Sequence, residues 1–289
     1  MLQTLIAGLS TGIIYALMAS GFSLVYRITR VLNFANGDLV MLGGMIGYSL
    51  LVLVGLPIGL TFMLTMLITG LIMVAVERVV LAPVYRQGVL ASVVVTIGLS
   101  FIIQNSVQLG WGRGGFSFPS VFGNEAVVFG GIRFVPELVA ILAIGAVAIL
   151  ILGLFLTRTR FGIAARATAA DRETALLMGI KVSRMNMLSF FIAGVLSALA
   201  GVLLAPVTYL TATIGLTLGL KGFVAALVGG LGSMPGAVLG GVLLGVTETV
   251  VGAYLDPNYR EGIAFMVMIA ILAVRPFGIF GEEGVEEDR

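Results

Sequence analysis

Polar side chains recur inside apolar segments of this sequence, where they are candidates for binding a solute. Thr96, Ser100 and Gln104 are spaced four residues apart, so on a helix they share one face, and Asn105 follows directly. A polar stripe of this kind is typical of a helix that lines a pathway for a polar substrate. The alternative is ordinary hydrogen bonding between neighbouring helices.

A carboxylate also lies within an apolar segment. Glu248 stands between Thr247 and Thr249 in the segment 234–255. A carboxylate at membrane depth usually faces a cavity or a charged partner, and Lys221 is a candidate for that partner. The alternative is that Glu248 lies near the outer membrane surface and is hydrated.

The run NFANGD, which contains Asn33, Asn36 and Asp38, follows the first apolar segment. Asn and Asp favour turns and helix N-caps, so the run fits a turn between two helices. It equally fits irregular backbone at an interrupted membrane helix, where freed amides and half-helix ends bind substrate.

The segment 163–179, IAARATAADRETALLMG, predicts a short amphipathic helix that ends at Gly179. Its apolar and charged residues suit docking into a groove of a partner protein. The alternative is a helix that lies on the membrane surface.

Several classes of chemistry lack their usual residues. The chain has no His and no Cys, which removes the commonest general base and thiolate metal ligands. Its nearest approach to a phosphate-binding loop, Gly215 to Gly222, has the wrong spacing and no final hydroxyl. We therefore expect no catalytic residue, metal or cofactor and no nucleic-acid partner. If the protein pumps a solute, another subunit supplies the energy.

The elements that must position these residues are membrane-spanning helices. Of 289 residues, 59% are hydrophobic and 10% are charged, whereas soluble domains carry about 25% charged residues. We expect an all-α, polytopic transmembrane bundle of eight to ten spans, forming one permease-like domain over 1–289. A further apolar segment, 219–232, is too short for a clean crossing and predicts a half-helix or broken helix. The eight clear segments are 2–26, 38–56, 58–76, 91–110, 137–157, 187–205, 234–255 and 262–274.

Basic residues predict the orientation of the chain. Eleven of the 16 Lys and Arg residues fall on one side of the predicted spans, which the positive-inside rule makes cytoplasmic. This alternation places the N-terminus outside and the C-terminus inside, and it requires an odd number of crossings. It also predicts an external loop at 111–136, a cytoplasmic loop at 158–186 and a solvated acidic tail at 281–289. The eleven are Arg27, Arg30, Arg78, Arg86, Arg158, Arg160, Arg166, Arg172, Lys181, Arg184 and Arg275.

Five blocks of the sequence resemble, in order, the permease subunits of ATP-binding cassette (ABC) importers for branched-chain amino acids. One departure is visible: the family often has His where this chain has Asn36. The blocks are YALMASGFSLVYRITRVLNFANGDLVMLGG from Tyr15, TIGLSFIIQN from Thr96, TRFGIAARATAADRETALLMGIKVSR from Thr159, GLKGFVAALVGGLGSMPGAVLGGVLLGVTE from Gly219, and AVRPFGIFG from Ala273.

The resemblance implies a multi-pass protein of the cell (inner or plasma) membrane that moves branched-chain or other hydrophobic amino acids by alternating access. It implies a second homologous permease subunit, two cytoplasmic ATP-binding subunits and an extracytoplasmic substrate-binding protein, with this chain similar to the smaller permease. In the family, the loop after the fifth span docks onto the ATPase. The implied coupling contact comprises Ala170, Asp171, Arg172, Glu173, Ala175, Leu176, Leu177 and Gly179.

Other functions remain open at this point. Related permeases of the ABC class carry urea, short amides or nucleosides. A secondary transporter driven by an ion gradient would need an essential intramembrane carboxylate, and Glu248 is the best candidate. An intramembrane enzyme would need a catalytic pair at depth, for which the sequence offers few groups.

Overall fold

The computed structural model of the protein describes residues 2–120, 122–123, 127–129, 132–254 and 260–281. Within this part, seven helices are long and apolar enough to cross a membrane, and two shorter helices are apolar. The predicted all-α, polytopic bundle is therefore confirmed. The helices are α1 (Leu2–Thr29), α2 (Asn36–Tyr48), α3 (Ile58–Val76), α4 (Val89–Trp111), α5 (Pro136–Arg158), α6 (Arg160–Ala170), α7 (Arg172–Leu177), α8 (Val182–Leu204), α9 (Ile214–Gly229), α10 (Met234–Tyr254) and α11 (Arg260–Val274).

Shorter elements continue or connect these helices. A π-helical turn at Ser49–Leu53 extends α2, another at Glu77–Leu81 extends α3, and a 3-10 turn occupies Tyr85–Gln87. Between α4 and α5, β1 (Val127–Phe129) and β2 (Ile132–Phe134) form an antiparallel hairpin, in which Val128 pairs with Arg133. The predicted external loop 111–136 thus contains a small sheet.

The structure refines the bounds of two predicted segments and corrects a third. The short helix expected at 219–232 is α9, which begins at Ile214 and ends at Gly229. The segment 158–186 is mostly helical: α6 and α7 fill its centre, and α8 already begins at Val182. The single helix predicted over 163–179 is two helices, because Asp171 has extended backbone geometry and caps the start of α7. In the acidic tail, residues 282–289 lie outside the described part.

The helix ends rich in basic residues meet at one end of the bundle. Leu24 and Ile28 near the end of α1 pack with Ala165 of α6, next to Met185 of α8 and Met234 of α10. Gly281, after α11, contacts Gly230 at the end of α9. We name this the α6–α7 end.

The other end of the bundle carries the hairpin, and we name it the hairpin end. There α1 packs against β2, and the Ser10 hydroxyl of α1 donates to the carbonyl of Leu138 at the start of α5. Phe116 forms a backbone bridge with Leu210, between α8 and α9. Leu2 and Gly281 consequently lie at opposite ends, as the predicted odd number of crossings requires.

Glycines allow the central helices to touch. At the crossing of α1 and α10, a Cβ placed on Gly245 would lie 2.3 Å from Gly12 Cα, and one on Gly241 would lie 2.3 Å from the nitrogen of Ala16. Small residues spaced by four form flat surfaces of this kind in membrane helices. The crossing joins the N-terminal and C-terminal halves of the bundle.

Replacing Gly245 with Leu should push α1 and α10 apart, because the new side chain has no space. Overpacking of this kind costs about 1–3 kcal/mol. We expect a lower thermal unfolding temperature and a smaller monodisperse fraction in detergent. Gly98→Leu is the matched control, since a Cβ at Gly98 of α4 meets nothing within 4 Å. Equal stability of the two variants would contradict the packing described.

Candidate substrate pathway and coupling surface

Helix α2 begins deep inside the bundle. Residues 30–35 after α1 are not helical, and Arg30 has a φ of +58°. The Asn36 side-chain oxygen, in the first turn of α2, accepts a hydrogen bond from Ser197 Oγ at 3.2 Å. Ser197 is the sixteenth of the 23 residues of α8. The interruption between α1 and α2 therefore reaches well into the membrane region.

Helix α9 begins at the same depth and runs in the opposite direction. Its first turn packs on that of α2: a Cβ on Gly37 would lie 2.1 Å from the oxygen of Gly215 and 2.2 Å from the nitrogen of Gly219. The nine residues 205–213 before α9 contain only turns and an isolated bridge. Two interrupted helices thus bring their N-termini together within the bundle.

The convergence of two helix N-termini explains a buried carboxylate. Asp38 is fully buried in the first turn of α2, and its Oδ1 lies 2.3 Å from the position of a Cβ on Gly215. Negative charge is favoured at helix N-termini, where unpaired backbone N–H groups point outward. The Asp38 carboxylate thus lies beside both helix N-termini, and its Oδ2 has no hydrogen-bond partner among the residues that the structure describes.

The polar stripe of α4 faces this junction. Gln104 Nε2 donates to Asp38 Oδ1 at 3.0 Å and to Ser100 Oγ at 3.2 Å. The backbone N–H of Phe34 donates to Thr96 Oγ1 at 3.3 Å. The stripe predicted from the four-residue spacing is therefore present and contacts the interrupted segment.

We call the resulting group the central polar cluster. The N–H of Ala35 donates to the side-chain oxygen of Asn33 at 3.1 Å, which is the turn geometry considered for NFANGD. The turn and the helix interruption occur together. The cluster comprises Asn33, Asn36, Asp38, Thr96, Ser100, Gln104 and Ser197.

Two of the predicted residues lie outside the central polar cluster, and one residue of the cluster was not predicted. Asn105 is exposed and donates to the carbonyl of Phe101, one turn earlier on α4, so it points away from the cluster. Glu248 belongs to a separate site. Ser197 was not predicted, because an isolated serine in an apolar run shows no periodic pattern.

The cluster contains buried donors with no protein acceptor. Over the described residues, the side-chain nitrogens of Asn33 and Asn36 donate to no protein atom. Their residues are only 2% and 1% exposed. An unsatisfied buried donor is costly, so these amides favour contact with a polar solute or with water.

Glu248 occupies a second polar site, together with the partner predicted for it. Lys221 Nζ of α9 forms an ion pair with Glu248 Oε1, and Tyr15 Oη of α1 donates to Oε2 at 2.8 Å. The three residues line a cavity of about 580 Å³ between α1, α5, α9 and α10. Ala7, Leu138 and Leu204, all close to the hairpin end, also line it. Because six threonines contribute to its walls, we call it the threonine cavity.

The α6–α7 segment forms a protruding surface. The Asp171 side chain accepts hydrogen bonds from the backbone N–H groups of Glu173 and Thr174 at 2.9 and 3.2 Å, and from the Thr174 hydroxyl. The hydrogen bonds from Thr174 hold the pKa of the Asp171 carboxyl below its ordinary value. The carboxylate therefore stays charged and keeps the start of α7 fixed.

Helix α7 packs through one residue and exposes the others. Ala175 is buried, whereas Leu177 is 87% exposed and Met178 is 78% exposed. Gly179 ends the helix with a φ of +82°, a left-handed conformation suited to glycine. Leu177 and Met178 thus form an exposed apolar surface. Arg172, Glu173 and Leu176 beside them are also exposed.

No group of three or more metal-ligating residues occurs among the residues the structure describes.

Comparison with known proteins identifies the chain. The family model for the permease component of branched-chain amino acid transport systems matches residues 4–272. The chain is 33% identical to the high-affinity branched-chain amino acid transport system permease protein LivH of Escherichia coli (strain K12), and 34% identical to the corresponding BraD protein of Pseudomonas aeruginosa. Each match covers 99% of this chain and 97% of the relative.

A solved structure supports the fold. PsaBC from Streptococcus pneumoniae in complex with Fab aligns with a TM-score of 0.52 at 14% identity. The alignment covers 95% of this chain and 92% of that one. The family model and the sequence relatives show that the chain belongs to the family of permease components of branched-chain amino acid ABC transport systems.

Proposed function

We propose that this permease moves branched-chain or other hydrophobic amino acids inward by alternating access, driven by separate ATP-binding subunits. The observation that carries the proposal is the convergence of α2 and α9 on the central polar cluster, in a chain of this family. Half-helix ends and unwound backbone at membrane depth are common features of transporter binding sites. The substrate class follows from the names of the relatives.

The central polar cluster suits transient contact. Its free amide donors, on Asn33 and Asn36, offer hydrogen bonds to a carboxylate or carbonyl. Gln104 donates only to Oδ1 of the Asp38 carboxylate, and Oδ2 has no hydrogen-bond partner over the described residues. A solute held by a few hydrogen bonds is released readily, so most of the selectivity rests with an extracytoplasmic binding protein that delivers it.

Energy enters through the α6–α7 segment. Leu176, Leu177 and Met178 form an exposed apolar surface, which suits insertion into a groove of another protein. Arg30 Nη2 donates to the carbonyl of Ala169 at 3.4 Å, linking α6 to the end of α1. A displacement of α7 would therefore be transmitted through α6 to α1, which leads directly into the interrupted segment 30–35.

The basic residues give the orientation of this assembly. Arg27, Arg158, Arg184 and Arg275 all lie at or near helix ends of the α6–α7 end. The positive-inside rule makes that end cytoplasmic. Two ATP-binding subunits and a second, homologous permease would complete the importer, with the hairpin end facing the binding protein.

Reconstitution in liposomes tests the function. With both permeases, the ATP-binding subunits and the binding protein, we expect leucine uptake that requires ATP. Urea, short amides and nucleosides serve as competing solutes. Strong uptake by this chain alone, driven by an ion gradient and independent of ATP, would contradict the proposal.

Leu177→Glu should uncouple ATP hydrolysis from transport, because a charge replaces an exposed apolar side chain of α7. We expect at least a tenfold loss of leucine uptake while basal ATP hydrolysis and membrane insertion persist. Leu177→Met keeps the apolar surface and should transport normally. Normal uptake by the Leu177→Glu protein would show that α7 is not the docking element.

Gln104→Leu should impair transport, because it removes both hydrogen bonds that link α4 to Asp38 and Ser100. We expect a drop in the leucine uptake rate of about tenfold, the effect of roughly 1.4 kcal/mol. Asn105→Leu is the matched control, since Asn105 is exposed and its side-chain amide donates to the carbonyl of Phe101 on its own helix. Equal uptake rates for the two variants would argue that the cluster is a packing feature.

A further inference from the structure

The threonine cavity has the size and lining of a binding site for a small polar molecule. Its volume of about 580 Å³ falls within the roughly 300–1,000 Å³ common for ligand pockets. Hydroxyl-bearing residues come from three separate parts of the chain, so the polar lining is not a feature of one helix. The threonines are Thr11, Thr208, Thr211, Thr213, Thr217 and Thr249.

Opposite charges occur side by side in its wall. The side chains of Lys221 and Glu248 are 14% and 7% exposed, and Tyr15 is 4% exposed. Burying an ion pair costs desolvation energy that a well-packed apolar pair avoids. Ionisable groups inside membrane segments commonly mark substrate or ion pathways. If the pair only joined α9 to α10, an apolar contact would do so without this desolvation cost.

Apolar side chains line the cavity beside this pair. Ile14 of α1, Ile141 of α5 and Leu218 of α9 all border the same space. The cavity therefore offers one positive group, one negative group and an adjoining hydrocarbon surface. A free amino acid with an apolar side chain has the matching set of groups.

We propose that the threonine cavity binds a zwitterionic, apolar amino acid, whose two charges replace the ion pair between Lys221 and Glu248. The ligand carboxylate pairs with the Lys221 ammonium, the ligand ammonium pairs with the Glu248 carboxylate, and the ligand side chain contacts the apolar wall. This inference rests on the proposed function and assigns the site where the amino acid first engages the permease, on the hairpin side.

Charge balance explains why a zwitterion is preferred. A molecule with both charges replaces each partner of the ion pair and leaves no buried charge unpaired. An amine or a carboxylic acid alone would leave Lys221 or Glu248 without a partner, which is strongly unfavourable at low exposure. The site therefore discriminates by the presence of both groups.

Ligand binding would also act on the interrupted helix. The Lys221–Glu248 pair joins α9 to α10, and the Tyr15 hydroxyl adds α1. When a ligand separates the two charges, α9 loses one of its attachments. Because the first turn of α9 packs against Gly37 and Asp38, occupancy of the cavity reaches the central polar cluster.

The test uses the complete transporter in lipid nanodiscs, without ATP and without the binding protein. Binding of radiolabelled leucine is measured in competition with 4-methylpentanoate, which lacks the amino group, and with 3-methylbutylamine, which lacks the carboxylate. We expect each analogue to compete at least tenfold more weakly than unlabelled leucine. Equal competition by either analogue, or no leucine binding, would overturn the inference without depending on any variant.

Substitutions then assign the site. Lys221→Met and Glu248→Gln should each weaken leucine binding at least tenfold, whereas Lys221→Glu combined with Glu248→Lys should recover most of it. Glu77→Gln is the control, because Glu77 is a buried carboxylate whose hydrogen bond comes from Tyr85, away from the cavity. Thermal unfolding of each complex checks assembly. Wild-type binding in both single variants would exclude this site.

The zwitterion site and the proposed function can fail separately. If the wild-type importer takes up leucine with ATP but the analogues compete equally or the single variants bind normally, the zwitterion site is wrong and the proposed function stands. If the wild-type importer moves no amino acid at all, the proposed function itself fails.

Discussion

Irregular backbone inside a membrane must be shielded from lipid, and this constraint governs the structure. Residues 30–35 and 205–213 leave backbone groups outside any helix, which lipid cannot satisfy. The contact of Gly37 with Gly215 and Gly219 places the two helix starts against each other, with α8 behind them. Any side chain at Gly37 would force them apart. The glycines therefore permit two interrupted helices where a bilayer otherwise requires continuous ones.

The same junction connects the functional surfaces. The central polar cluster surrounds it, the threonine cavity reaches α9 from the hairpin end, and α1 links it to the α6–α7 segment. In the proposed mechanism, a movement at α7 and a ligand at Lys221 both act on the two helices that meet there. Energy delivered at one face would thereby alter access for a solute that arrives at the other.

The sequence predicted the elements with local signals. Apolar length located the spans, the four-residue spacing located the α4 stripe, and Lys221 was recognised as a possible partner of Glu248. Ser197 and the start of α9 at Ile214 were not predicted, because each depends on a contact with α2 that no local pattern records. The break at Asp171 was missed because alanine-rich flanks favour a continuous helix, whereas its side chain caps α7. How the cluster and cavity act in transport stays a prediction.

The central claim is that substrate access and energy input occupy opposite faces of the membrane. Single cysteines introduced by Leu177→Cys on α7 and Phe122→Cys near the hairpin suit a direct test, since the chain has no native cysteine and both positions are exposed. Intact cells expressing the importer are treated with a membrane-impermeant thiol reagent. The account predicts immediate labelling at 122 and labelling at 177 only after permeabilisation. Labelling of 177 in intact cells would contradict it.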